Sequence, residues 1–192
     1  MRRTTIAAVT LTAFTSLTLV ATTAARQVES TGAAPSAAAQ ALDDPTIVAI
    51  FDAANTADIE TGELAMRRGQ SKEVRDFGAM LAHDHKVVRQ QGRDLAAKLG
   101  VTPTPPKDDA GAKAHAAAMA KLRAIPAADF DHAFLQHEVA FHKSVLDAVK
   151  ATLLPAIRNA EVKDLVTKVA PAFQAHMMAA ESLDKRLVGS GK

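Results

Sequence analysis

The chain has 192 residues, 48% of them hydrophobic but only 4% aromatic, every aromatic being phenylalanine; this length carries one folded unit with a real core, and the alanine-rich, aromatic-poor composition favours packed helices over sheets. No cysteine is present, which excludes disulfides, thiolate metal sites, thiol nucleophiles and a lipidated N-terminal Cys, so any metal must be held by His, Asp or Glu. The formal charge of +2 includes Arg2 and Arg3, and without those two the chain has 21 basic and 21 acidic side chains, a balance without a basic stripe that argues against nucleic-acid binding.

Residues 1–25 read as a secretory signal: Arg2 and Arg3 form the positive start, Ile6 to Val20 an uncharged, mostly apolar run, and Thr23 to Ala25 a small-residue cleavage region. The run is short and rich in Thr and Ser, unlike a membrane anchor. The chain is therefore expected to be exported, periplasmic or secreted, with no transmembrane segment after cleavage near Ala25. Residues 26–43, rich in Ala, Ser, Thr and Gly, read as a flexible spacer.

A helical domain is expected over 44–189. Asp44 before Pro45 marks a start, and Ile47, Ile50, Phe51, Ala54, Ala57, Thr61 and Leu64 draw an apolar helical stripe up to Gly69. Ser71 can cap a second helix, whose Val74, Phe77, Leu81, Val88, Leu95 and Leu99 mark a buried side ending at Gly100. Pro103, Pro105 and Pro106 break the chain before a short alanine-rich helix over 110–124. After Pro126 a further helix runs to about 153 through Phe130, Phe134, Val139, Phe141, Val145 and Val149. Asn159 can cap the last helix, which runs to Gly189 and should kink at Pro171. Two helical hairpins joined by a longer connection predict an all-α fold, an antiparallel four-helix bundle with a short extra helix in the central connection.

Each long helix offers a polar group on its stripe. His85 lies four residues after Leu81, His142 three after Val139 and His176 three after Phe173; Glu60 lies three after Ala57 and four before Leu64. Buried groups of this kind are paired with each other or with a metal, because leaving them unpartnered costs several kcal/mol. The metal reading assigns Glu60, His85, His142 and His176 as ligands, with Asp84 and His137 in reserve, for one Zn, Fe, Mn or Cu ion. The competing reading is a hydrogen-bonded network without metal, Glu60 to His85 for example. His83 and His85 point about 200° apart on a helix and cannot share an ion, and His115 reads as a surface residue. No serine elbow, phosphate loop or dinucleotide fingerprint is present.

The segments ADIETGELAMRRGQSKEVRDFGAMLAHDHKV, DFDHAFLQHEVAFHKSVL and VAPAFQAHMMAAESL resemble the exported bacterial family DUF4142, over about 45 to 188. The resemblance rests on the stretch from Glu60 to Ala65 with Gly62, the pair Asp84 and His85, His142 after Val139, and His176. It implies export and a ferritin-like bundle, and no established activity. Ferritin-like di-iron enzymes use Glu-x-x-His on two helices; here Ala82 precedes His85 by three and Phe173 precedes His176 by three, so di-iron oxygen activation is not expected. The expected function is an exported helical-bundle protein binding a metal ion or small ligand. The alternative is a mononuclear-metal oxidoreductase or ferroxidase-like protein, and a homo-oligomer or an envelope protein is the kind of partner expected.

Overall fold

In the computed structural model, residues 42–190 are described; the expected signal and nearly all of the spacer lie outside the described residues. Helix α1 (Asp44–Arg68) begins where Asp43 accepts a hydrogen bond from the Thr46 N–H at 2.9 Å, with Pro45 in the first turn. Ser71 caps α2 (Lys72–Leu99), which stops at Gly100 in the left-handed conformation, φ 65°. A residue without Cβ adopts that conformation at no steric cost. Asp109 caps α3 (Ala110–Ala124), and α4 (Ala127–Ala148) follows Pro126.

The helix expected to run to about 153 changes its winding before that point. Val149–Leu153 form a π-helical turn, in which the Leu154 N–H reaches back to the Val149 carbonyl, and the single turn α5 (Leu154–Ala156) follows at Pro155. Asn159 accepts from the Glu161 and Val162 N–H groups and starts α6 (Ala160–Ser190), which continues through Pro171 as one helix.

The described residues form helices and connecting loops, without strands, and none of their helices is long and apolar enough to cross a membrane. The long helices α1, α2, α6 and α4 touch one another in that cyclic order, and α3 lies against α1 and α4. Side-chain anchors hold the ends together. Asp131 accepts from the Gln70 and Ser71 N–H groups at the α1–α2 turn, and Asp44 accepts from the Arg158 and Asn159 N–H groups ahead of α6. The Arg68 guanidinium donates to the Leu122, Arg123 and Ile125 carbonyls, satisfying the end of α3 while lying over the Phe130 ring.

Helices α1 and α2 meet backbone to backbone at Gly62 and Gly78. A Cβ on either would come within 2.6 Å of the other's carbonyl oxygen, so neither tolerates a side chain without the helices separating. This contact buries a wider face of α1 than one apolar stripe requires, including Asn55, Asp58, Ile59 and Thr61.

Two apolar clusters fill the interior. One contains Leu64, Phe77, Leu81, Phe130, Phe134 and Leu183, and the other Ile47, Val48, Ala96, Leu153, Val162 and Val166. Along α1, α2 and α6, and along α4 with the π-helical turn that continues it, the buried polar residues fall between the buried residues of the two clusters.

Candidate metal centre

That middle layer consists of Asn55, Asp58 and Thr61 from α1, His85 from α2, Glu138 and His142 from α4, and His176 from α6, all buried. Hydrogen bonds determine which ring nitrogens carry protons. His142 Nδ1 lies 2.9 Å from the Glu138 backbone carbonyl, which only accepts, so Nδ1 donates and Nε2 keeps its lone pair. The Asn55 amide nitrogen donates to the Phe51 carbonyl, leaving its Oδ1 to accept from His85 Nδ1 at 3.0 Å. His176 Nε2 donates to Asp84 Oδ2 at 3.1 Å.

The three remaining nitrogens, Nε2 of His85, Nε2 of His142 and Nδ1 of His176, are the ones with free lone pairs. Ligand atoms of these three histidines lie within 4.8 Å of one another. His85 Nε2 and His176 Nδ1 are 3.2 Å apart. Two lone pairs at that distance repel unless a proton or a metal ion sits between them. Two nitrogens bound to one ion at about 2.0–2.1 Å stand roughly 2.9–3.4 Å apart for angles from square to tetrahedral, which fits the spacing.

Asp58, Glu138 and His142 form a second triad within the same 4.8 Å limit. Asp58 Oδ2 lies 3.4 Å from His85 Nδ1, and Asp58 Oδ1 lies 3.8 Å from His142 Nε2. Both oxygens of Asp58, both of Glu138 and His142 Nε2 are buried without a hydrogen-bond partner. Asp58 and Glu138 are close enough to share a proton and Thr61 lies near Glu138, but groups so weakly partnered are costly in a closed interior, and all five atoms are ones that bind cations.

The family profile of DUF4142, a domain of unknown function, matches residues 29–183. The chain belongs to this family. No curated protein and no solved structure matches it.

Burial dominates the electrostatics of the layer. It holds His85 down to about 3, with repulsion from His142 and His176 adding to the effect. It also holds His142 down to about 4, although the bond to the Glu138 carbonyl works in the opposite direction. Burial pushes the Glu138 carboxyl up to about 7, against the favourable influence of Thr61 and Asp58. Burial and then the neighbouring Glu138 raise Asp58 well above the ordinary carboxylate value. Neutral imidazoles and carboxylates unable to ionise comfortably are the state in which a cation has most to offer.

Of the four ligands expected from the sequence, His85, His142 and His176 come together and Glu60 does not. Glu60 lies on the exposed side of α1, where its Oε2 is 2.9 Å from His115 Nε2. One residue's rotation separates it from Thr61, and the partner of His85 is Asn55. Asp84 stands behind His176 as its acceptor, the usual place of a carboxylate that orients a metal-binding imidazole. His137 is half-buried, stacked on Phe141 with ring centroids 6.0 Å apart, and belongs to neither triad. His83 is exposed, as its spacing from His85 predicts.

Asp58 and Glu138 went unrecognised in the sequence, although both spacings were legible. Asp58 lies four residues after Ala54 and three before Thr61, and Glu138 lies four after Phe134 and four before His142. Histidines on a stripe draw attention because they suit both core and ligand roles, whereas carboxylates are ordinarily solvated.

Proposed function

We propose that this chain is an exported protein with a ferritin-like, antiparallel four-helix bundle that binds one divalent transition metal ion in its middle layer. The order of the clusters along each helix supports the bundle. Helices α1 and α6 run from the Val48 cluster toward the Phe134 cluster, α2 and α4 run the other way, and every neighbour in the cycle is thus antiparallel. The connection between α2 and α4 must travel the length of the domain and carries α3, the single long crossover that distinguishes ferritin-like bundles from simple up-and-down ones. Export rests on the N-terminal pattern of residues 1–25.

One observation carries the metal assignment: His85 Nε2 and His176 Nδ1 stand 3.2 Å apart, while their other nitrogens are held by Asn55 and Asp84. His142 completes a three-imidazole set, and Asp58 with Glu138 supplies carboxylate oxygens. Three neutral imidazoles and two carboxylates balance one divalent charge. Nitrogen and oxygen donors suit Zn, Fe, Mn or Cu(II).

Elemental analysis of protein purified without a His tag, beside melting curves with added Zn, Cu, Mn and Fe, tests the assignment. Near-stoichiometric metal that disappears in His85→Ala and His176→Ala supports it. Absence of bound metal together with unchanged melting for all four ions sinks it, leaving the layer as a hydrogen-bonded network.

A further inference from the structure

Beside the polar layer lies a cavity of about 80 Å³, walled by Phe51, Val145, Val149, Leu153, Val169 and Phe173. Asn55 is the polar residue at its edge, and that amide is already committed to the Phe51 carbonyl and to His85. The pocket is partly open, since Phe51, Val145, Val149 and Val169 are only half-buried, but its wall offers water none of the free polar partners it needs to settle there. Ions are excluded by the cost of losing their hydration.

Size narrows the occupant further. A dry apolar cavity of about 150 Å³ accepts benzene, so the interior of this pocket, near half that volume, encloses roughly three heavy atoms. The π-helical turn Val149–Leu153 contributes two of the wall residues, and such turns inside helices recur at functional sites.

The position of the cavity is as informative as its lining. Phe173 forms one wall, and the His85 and His142 rings pack against it with centroids 4.8 and 5.6 Å away. Phe173 and Asn55 thus belong both to the cavity wall and to the surroundings of the three-histidine set.

We propose that this cavity binds a small, uncharged, apolar diatomic molecule of the dioxygen type and holds it beside the metal centre. Occupancy itself needs only the cavity, whereas a role in metal chemistry rests on the metal assignment above.

Xenon is the probe for the site and dissolved oxygen for its natural class of occupant. Both are applied to the full chain, chelator-stripped and metal-reconstituted. The expected result is xenon between Phe51, Val149 and Phe173 in pressurised crystals. Oxygen-dependent relaxation of the Val149 and Val169 methyl signals should be several-fold stronger than for Leu135 in the phenylalanine-rich cluster. Ala54→Leu, on the cavity wall, should abolish both effects without lowering bound metal, and Val169→Leu is the gentler variant should Ala54→Leu not fold. A wild-type cavity that stays empty under xenon pressure overturns the proposal, as does an oxygen effect that persists in a folded filled variant. Xenon bound by a protein that takes no metal upholds this site and removes the metal assignment; metal bound without xenon does the reverse.

Discussion

The phenylalanine-rich cluster and the polar layer next to it are both buried, yet they solve opposite problems. In the cluster, Phe130 and Phe134 are fully enclosed and stack with their ring planes 4° apart, and Phe77 meets Phe134 edge-on. Every atom there gains from being out of water. In the layer, two carboxylates and three imidazoles have been taken out of water, and five of their atoms have no partner. The cluster contributes stability by itself, whereas the layer costs stability as long as its charges lack a partner, and the proposed cation would be that partner.

The largest effects should come from the cluster. Phe134→Ala should lower stability by about 3–5 kcal/mol, measured by denaturant unfolding, and by the same amount with and without metal. A loss that depended on metal would break the division between the two regions.

Removing a charge from the layer should have the opposite sign. Glu138→Gln keeps the shape of a group that burial already disfavours in its charged form, so the metal-free protein should gain about 1–3 kcal/mol at neutral pH. The same substitution should weaken metal binding about tenfold or more, as read by competition with a chelator. Lower stability without metal would mean that the carboxylate already has a satisfied structural role.

The pH dependence should differ between the metal-free and metal-loaded forms. His85 and His142 are held below their ordinary values when folded. Their contribution is present above about 6.5 and is lost as pH falls toward their folded values. Glu138 and Asp58 are raised when folded, so their contribution is present below the ordinary carboxyl range and is lost as pH rises through the folded values, for Glu138 about 7. The metal-free protein should therefore melt highest near about pH 5–6 and lose stability toward pH 8. Metal requires deprotonated ligands, so the loaded protein should not show that decline. Melting curves at each pH decide the matter, and parallel profiles for the two forms would refute it.

The smallest effect is expected at Glu60. Glu60→Gln should leave metal content unchanged and shift stability by no more than about 0.5 kcal/mol, since its contact with His115 is exposed. Metal loss in this variant would restore the ligand set expected from the stripe alone.

Helix starts and stops were the most legible features. The first helix is capped by Asp43 and not by the expected Asp44, which instead accepts from Arg158 and Asn159. Ser71 and Asn159 accept from N–H groups two or three residues ahead, as their positions suggested, and Gly100 ends α2. These are local interactions, complete within one turn, so the order of residues determines them. His85, His142 and His176 were legible as inward-facing for the same reason, because three- and four-residue spacing defines a side of a helix. The family resemblance was equally readable and is confirmed over residues 29–183.

Only the tertiary structure decided which carboxylates join those histidines. Spacing states which side of its own helix a residue occupies, but not how wide a buried arc the neighbouring helices impose. The approach of α1 to α2 at Gly62 and Gly78 widens that arc to enclose Asp58 while Glu60 remains on the open side. The packing of α4 likewise closes over Glu138. The π-helical turn and the cavity it lines depend on how α4, α1 and α6 meet, a fit between surfaces distant in sequence that no single helix encodes.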